Sequence, residues 1–153
     1  MKVLIKNATI FSPSSPFHGK NKHIFIDNGI ISKIGNNLKV TANKTIDVKG
    51  LCVSPGWVDC FANFCDPGEE YKETLETGVM AAAAGGFTEV MLMPNTQPVV
   101  YNKSHVEYLI QKSKSLVVTI HPIGAITKNA DGKELSEMFD MHHSGAIAFS
   151  DGL

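Results

Sequence analysis

Hydrophobic and polar positions alternate along the first fifty residues of the chain. The alternation predicts four strands, at residues 1–11, 22–27, 30–34 and 45–48. Asn28-Gly29 separates the second strand from the third, and this pair favours a two-residue hairpin turn with positive φ. We therefore expect residues 1–50 to form a small antiparallel β segment.

Longer apolar runs, separated by helical patterns, follow Gly50. Strands are predicted at residues 51–58, 87–93, 116–123 and 145–149. Helices are predicted between them, at residues 71–84, from Asn102 or Ser104 to 114, and at residues 133–141. Regular alternation of strand and helix is typical of a parallel sheet with right-handed crossovers. The second part of the chain is therefore predicted to be α/β.

Composition excludes several classes of protein. Hydrophobic residues make up 43% and charged residues 19% of the 153 residues, as in a globular protein. A net charge of -1 without a basic run argues against nucleic-acid binding, and no apolar run reaches the roughly 20 residues of a membrane helix. Three cysteines without C-x-x-C spacing predict no disulfide framework, so we expect a reducing, cytoplasmic setting.

The segment PGWVDCFANFCDPG, residues 55–68, follows a short apolar run and ends in a turn. In α/β barrels the chemistry takes place at the carboxyl ends of the strands, where such a loop would lie. The segment resembles the first barrel strand of the amidohydrolase superfamily, most closely the dihydroorotases of the multifunctional-complex type. Nine residues fit that pattern: Pro55, Gly56, Trp57, Val58, Asp59, Phe64, Asp66, Pro67 and Gly68.

The positions that carry the family's chemistry differ. Phe61 and Asn63 stand where the family has its two metal-binding histidines, and Cys65 stands where it has an arginine that grips the substrate carboxylate. Phenylalanine has no lone pair to offer, and zinc prefers nitrogen and sulfur ligands to an amide oxygen. We expect Cys60 and Cys65 to be small apolar fillers. A rebuilt metal site using Asn63 and Cys65 is the alternative.

Two further segments carry the resemblance. MPNTQPVV, residues 93–100, matches the family's loop after its second barrel strand, whose asparagine contacts the substrate; here that residue is Asn95. The alternative is that Asn95 holds its own loop turn. GAIAFSD, residues 145–151, resembles the fourth barrel strand, where some members have a metal-binding aspartate and others a carboxylated lysine. Asp151 is placed for that metal role, or is a solvated terminal acid.

The remaining candidate residues are histidines. His121 lies near the end of a predicted strand and is expected to be a hydrogen-bonded structural residue. His142 and His143 are predicted at a helix carboxyl end, where an imidazolium complements the helix dipole. A functional role at the strand end is the alternative for His121. No joint metal site is expected for His142 and His143, because neighbouring side chains diverge on a helix.

The resemblance implies a β-sandwich segment at residues 1–50 and four βα units of a TIM-type (β/α)8 barrel at residues 51–153. Because such a barrel needs about 250 residues, we expect this chain to be part of a longer protein. In the family, two divalent metals, typically zinc, activate a water that opens or closes the dihydroorotate ring in pyrimidine synthesis. The family's other ligands would lie beyond Leu153.

Three functions stay open. The favoured one is a catalytically impaired homologue with no zinc or weakly bound zinc. The resemblance offers aspartate carbamoyltransferase as its partner and a homo-oligomer as the full-length form. The second is an active cyclic amidohydrolase with an altered ligand set, made of Asp151, histidines further along the protein and, as an optional member, Cys65. The third is a stand-alone half-barrel binding module. The resemblance also offers a small cyclic amide as a ligand.

Overall fold

The computed structural model describes residues 1–152, and the chain divides into two compact units, Met1–Pro55 and Gly56–Leu153. The first unit contains β1 (Lys2–Ile10), β2 (Asn21–Asp27), β3 (Ile30–Gly35), β4 (Lys44–Asp47) and β5 (Cys52–Val53). The second contains β6 (Trp57–Ala62), α1 (Leu75–Ala84), β7 (Phe87–Leu92), α2 (Lys103–Ser113), β8 (Thr119–Gly124), α3 (Met138–His143) and β9 (Ala148–Phe149). No helix among the described residues is long and apolar enough to cross a membrane.

The first unit is one mixed sheet with strand order β3-β2-β1-β4, and β5 also pairs with β1. The predicted hairpin is confirmed, with φ of 49° at Asn28 and 83° at Gly29. The prediction that this segment is antiparallel throughout was wrong, because β4 and β5 run parallel to β1. The small core of the first unit contains Ala8, Ile10 and Ile24.

The segment predicted as a single strand at residues 51–58 is two strands in two different sheets. Cys52 and Val53 pair with β1, whereas the next sheet begins at Trp57. Pro55 and Gly56 interrupt the ladder, because proline has no N–H to donate. Gly56 also packs so closely on Thr88 that an added Cβ would lie 2.1 Å from its Cγ2. The boundary between the units therefore follows Pro55 rather than Gly50.

The second unit is a parallel sheet with order β6-β7-β8-β9, as the strand–helix alternation predicts. One face of the sheet packs against the helices. Val90 and Leu92 of β7 and Ile120 of β8 are buried there, together with apolar residues of α1, α2 and α3. Because strand side chains alternate, Glu89, Met91 and His121 lie on the opposite face of the sheet.

Two helices are shorter than predicted. α1 begins at Leu75 rather than residue 71, because Thr74 caps it and accepts a hydrogen bond from the N–H of Thr77. α3 begins at Met138 rather than residue 133. The residues before it pair with the loop after β8 instead, and the N–H of Ser136 donates to the carbonyl of Ile126 at 2.9 Å. A 3-10 turn at Lys128–Ala130 completes that loop.

Candidate functional site

The carboxyl ends of the four parallel strands meet at one edge of the second sheet. Ala62 of β6 is in register with Leu92 of β7, which is in register with Pro122 of β8. Further along β8, Gly124 pairs with Phe149 of β9. The segments that follow these strands contain Asn63, Asn95, Thr127 and Asp151. The structure therefore brings all three predicted motifs to the same edge.

Phe61 and Asn63 lie at the end of β6 on the side away from the helices. The intervening Ala62, and Phe64 after Asn63, are buried in the core, whereas the Phe61 side chain is 47% exposed. Asp59 Oδ1 accepts a hydrogen bond from the N–H of Phe61 at 2.9 Å, where the register with β7 shifts. Positions 61 and 63 therefore lie on the same side of the strand, as expected for alternate residues. Neither residue offers a strong metal ligand.

The cysteines of this motif do not fill the core. Cys60 is exposed and Cys65 is half-buried, so the prediction that both are apolar fillers was wrong. Cys60 lies on an edge strand, where the register with β7 is irregular between Asp59 and Ala62, and Cys65 lies in the loop after that strand.

Asn95 is exposed in the loop after β7, and it does not hold its own turn. Thr96 does so, since its N–H donates to the carbonyl of Pro94 and its Oγ1 donates to the carbonyl of Pro98, both at 2.8 Å. Asn95 instead lies beside the segment after β9. A Cβ added at Gly152 would stand 3.6 Å from the Cβ of Asn95. The two predicted site residues, Asn95 and Asp151, are therefore on neighbouring segments.

Asp151 is bonded through both carboxylate oxygens to one residue, Thr127. The N–H of Thr127 donates to Oδ1 and its Oγ1 donates to Oδ2, each at 2.8 Å. The buried Thr127 hydroxyl also accepts the N–H of Gly132 at 2.9 Å. Asp151 is therefore an oriented carboxylate rather than a solvated terminal acid. Sequence reasoning missed Thr127, which lies in the loop after β8, behind Ala125 and Ile126.

A second carboxylate, Asp66 of the motif at residues 55–68, is completely buried. Its oxygens accept hydrogen bonds from the N–H of Leu75 at 3.2 Å, the hydroxyl of Tyr108 at 2.9 Å and the ammonium of Lys112 at 2.6 Å. Burial opposes ionisation of Asp66, but these three donors outweigh it and hold its pKa below the ordinary value of 3.8. Burial likewise opposes the charge on Lys112, and Asp66 and Tyr108 reverse this and raise the pKa of Lys112.

Asp66 therefore fastens the loop after β6 to both helices. It accepts a bond at the first residue of α1, where the helix dipole favours a negative charge, and it binds two side chains of α2. The same loop is joined to the Asn95 loop, because the N–H of Gln97 donates to the carbonyl of Pro67 at 3.0 Å. Asp66 also belongs to the DPG turn, but its partners could not be found from the sequence.

His121 is hydrogen-bonded, as predicted, through Nε2 to Glu89 Oε2 at 2.7 Å. The two residues lie within β8 and β7, on the sheet face away from the helices. His142 and His143 end α3 as expected, and His143 Nδ1 lies 2.9 Å from the carbonyl oxygen of Phe139. Glu89 was not singled out from the sequence.

The chain's own residues do not fit a zinc centre at the predicted position. Zinc sites use three or four nitrogen, sulfur or carboxylate ligands around one ion. Here Phe61 contributes none and Asn63 contributes an amide. Of the carboxylates that the motifs supply, Asp66 is buried and bonded to Lys112 and Tyr108, Asp59 accepts the N–H of Phe61, and Asp151 is bonded to Thr127. Among residues 1–152 no three His, Cys, Asp or Glu side chains are grouped as metal ligands would be. The metal role of Asp151 and the substrate role of Asn95 stay predictions.

Strand order, crossover helices and the position of the motifs define a partial α/β barrel of the amidohydrolase type. L-Hydantoinase (dihydropyrimidinase) from Arthrobacter aurescens has a similar structure, with a TM-score of 0.73 and 26% identity over 96% of this chain and 32% of that one. A D-hydantoinase matches with a TM-score of 0.65 and 29% identity, over 83% of this chain and 28% of its own.

The chain belongs to the dihydroorotase-like family, whose model matches residues 50–153. The dihydroorotase of Aquifex aeolicus is 41% identical over 152 residues, which are 99% of this chain and 36% of that protein. The dihydroorotase of Acetivibrio thermocellus is 43% identical over 150 residues, 97% of this chain and 35% of its own length. The chain thus spans about a third of the relatives it matches.

Proposed function

We propose that this chain is the β-segment and first-four-strand part of a dihydroorotase homologue that does not hydrolyse cyclic amides. The observation that carries the proposal is the side chains at the end of β6. Phe61 and Asn63 stand where the family's motif has its metal-binding histidines, and both are exposed while Ala62 and Phe64 are buried. Without those donors an activated metal-bound water has no support from β6.

The hydrogen bonds around the site support the interpretation that the metal-binding side chains at positions 61 and 63 were lost while the fold was kept. Asp66 still ties the loop to the helices, and Thr127 still orients Asp151. A site that had lost its structure would not keep the buried carboxylate of Asp66 with its three donors, because burying it without partners is costly. We infer that the protein retains the shape of the site for a purpose other than hydrolysis.

The experiment is turnover of dihydroorotate by the complete protein that contains this chain, with zinc supplied. The proposal predicts no hydrolysis or ring closure above the rate of the Asp151→Ala variant. Turnover that is abolished by Asp151→Ala would instead support the second candidate, an active cyclic amidohydrolase with an altered ligand set. That candidate is favoured by one observation, the oriented carboxylate of Asp151.

A non-catalytic homologue needs another role, and we propose that it is a partner subunit of aspartate carbamoyltransferase. The support is the resemblance to dihydroorotases of the multifunctional-complex type. The test is gel filtration of the complete protein mixed with that enzyme. Co-elution at a defined stoichiometry is expected, and separate elution would remove the partner role while leaving the absence of hydrolysis untouched.

A further inference from the structure

A β-bulge in β1 fixes the orientation of one imidazole in the first unit. The pairing of β1 with β2 shifts between Ile5 and Ala8, so that two residues of β1, Lys6 and Asn7, lie opposite His23 alone. Asn7 has a positive φ of 54°, and its N–H donates to Nδ1 of His23 at 3.0 Å. Because Nδ1 accepts this bond, the proton of the neutral imidazole lies on Nε2. Within residues 1–152 that Nε2–H has no hydrogen-bond partner.

Side chains of the neighbouring strands hold the bulge in place. The side-chain amide of Asn21 donates to the carbonyl of Asn7 at 2.7 Å, and the Asn7 amide nitrogen lies 3.4 Å from Oδ1 of Asp47. Both polar groups of the Asn7 backbone are therefore bonded, as a stable backbone position requires. The direction of the His23 ring thus depends on a fixed part of the sheet.

His23 lines a cleft of about 350 Å³ formed by β1, β2 and the loop after β3. The cleft is lined by two lysines, one histidine, one asparagine and two leucines, namely Leu4, Lys6, His23, Asn37, Leu38 and Lys39. All six residues belong to the first unit, and none of the six carries a carboxylate. The cleft therefore combines positive charge with an oriented N–H donor.

The loop after β3 is anchored at both ends. Near its start, the ammonium of Lys22 donates to Oδ1 of Asn36 at 2.5 Å. At its end, Oδ1 of Asn43 accepts the N–H of Lys2 at 2.7 Å, and the N–H of Asn43 donates to the carbonyl of Lys2 at 2.9 Å. Lys39 lies between these two anchors, which hold its segment beside the sheet.

The two lysines of the cleft are available to an anion. Lys6 Nζ lies 3.7 Å from Oδ2 of Asp47, and because both side chains are exposed this pair contributes little. Asp47 is the carboxylate that competes with an anion for Lys6. Lys39 forms no salt bridge with any residue in the described part of the chain. Two ammonium groups beside one N–H donor suit an anion with several oxygens.

We infer that this cleft binds a small oxyanion of the phosphate type. Lys6 and Lys39 neutralise its charge, and the Nε2–H of His23 donates to one of its oxygens. Phosphate suits these groups better than a carboxylate, because it carries more than one negative charge near neutral pH and offers at least three acceptor oxygens. Every group involved belongs to the first unit, so phosphate binding is independent of whether the carboxyl edge of the second sheet hydrolyses cyclic amides.

The test is calorimetric titration of the complete protein that contains this chain with inorganic phosphate at constant ionic strength. Saturable binding at millimolar concentration is expected. Acetate should bind about fivefold more weakly, because it carries a single charge. The absence of saturable phosphate binding, or equal binding of acetate, would overturn the inference.

Two lysine substitutions localise the binding. Lys39→Ala removes one ammonium from the cleft, and it should weaken phosphate binding about fivefold. Lys49→Ala is the matched control, because Lys49 is an exposed lysine of the same unit that does not line the cleft, and it should leave the affinity unchanged. Equal effects of the two substitutions would contradict the assignment, since they would show only attraction to net charge.

His23 provides a readout that lysine charge alone does not supply. In NMR spectra of the complete protein labelled with ¹⁵N at histidine, and with His23 assigned from a His23→Gln variant, the ring should be the Nε2–H tautomer. Phosphate should shift the Nε2 resonance, and in Lys39→Ala the same shift should require about fivefold more phosphate. A ring protonated on Nδ1 alone, or an Nε2 resonance that does not move, would contradict the donor role of His23.

Discussion

The ammonium of Lys112 lies 2.6 Å from Oδ2 of Asp66, a carboxylate with no exposed surface. The two residues are 46 positions apart, one in the turn after β6 and the other near the end of α2. The pair therefore joins the motif segment to a helix that precedes the third strand of the sheet. The stability of the motif loop depends on this contact.

Replacing Lys112 with Met should destabilise the protein, because Asp66 would stay buried with only Tyr108 and the N–H of Leu75 as donors. We expect the free energy of unfolding to fall by about 2–3 kcal/mol, measured by urea denaturation. Lys72→Met is the matched control, since Lys72 forms an exposed pair with Glu69 and its loss should change little. Equal losses in the two variants would contradict the role of Asp66.

The same pair predicts a shift in acid stability. The pKa of Asp66 is lowered in the folded protein, so its contribution is complete above the ordinary pKa of 3.8 and is lost as the pH falls through the folded-state pKa. In Lys112→Met the burial of Asp66 is less opposed, which raises the folded-state pKa. The free energy of unfolding should therefore fall less between pH 6 and pH 2 in Lys112→Met than in the wild type, because the variant has less pH-dependent stabilisation from Asp66 to lose.

Gly78 of α1 should not tolerate alanine, although alanine is the better helix former. A Cβ at Gly78 would lie 2.5 Å from the ring of Phe64, the buried aromatic residue of the motif. We expect Gly78→Ala to lower the free energy of unfolding by about 1–3 kcal/mol. The smaller side chain of a Phe64→Leu, Gly78→Ala double variant should recover part of that loss, and no recovery would show that the contact is not the cause.

Thr127 and Asp151 should be energetically coupled, because the Thr127 hydroxyl and N–H both bond the carboxylate. A double-mutant cycle with Thr127→Val and Asp151→Asn should give a coupling energy of about 1 kcal/mol in urea denaturation. Ser136→Ala with Asp151→Asn serves as the control cycle, since Ser136 bonds the carbonyl of Ala125 instead. Additive effects in the first cycle would mean that the contact contributes nothing to stability.

Much of this architecture could be predicted from local pattern. The hairpin at Asn28-Gly29 and the parallel order of β6 to β9 follow from residue preferences and periodicity that act over a few positions. The split of residues 51–58 into two strands could not be predicted in this way. It depends on which sheet offers a partner to Cys52 and Val53 and on the close approach of Gly56 to Thr88.

The candidate site was likewise predictable only in part. Its position was predictable, because Phe61, Asn95 and Asp151 follow strands whose carboxyl ends must meet. The partners that orient it were not, since Thr127 lies 24 residues from Asp151 and Tyr108 lies 42 residues from Asp66. Such contacts depend on tertiary structure, which leaves no periodic signal in the sequence.

The most direct test of the central claim is zinc stoichiometry after dialysis and metal analysis of the complete protein and its Phe61→His, Asn63→His variant. The substitutions supply two imidazoles on the same side of β6, at the carboxyl edge of the sheet where Asp151 follows β9. We predict substoichiometric zinc in the wild type and about one tightly bound zinc in the variant. Stoichiometric zinc in the wild type, lost in Asp151→Ala, would contradict the account, because it would mean that a complete metal site exists without the two histidines.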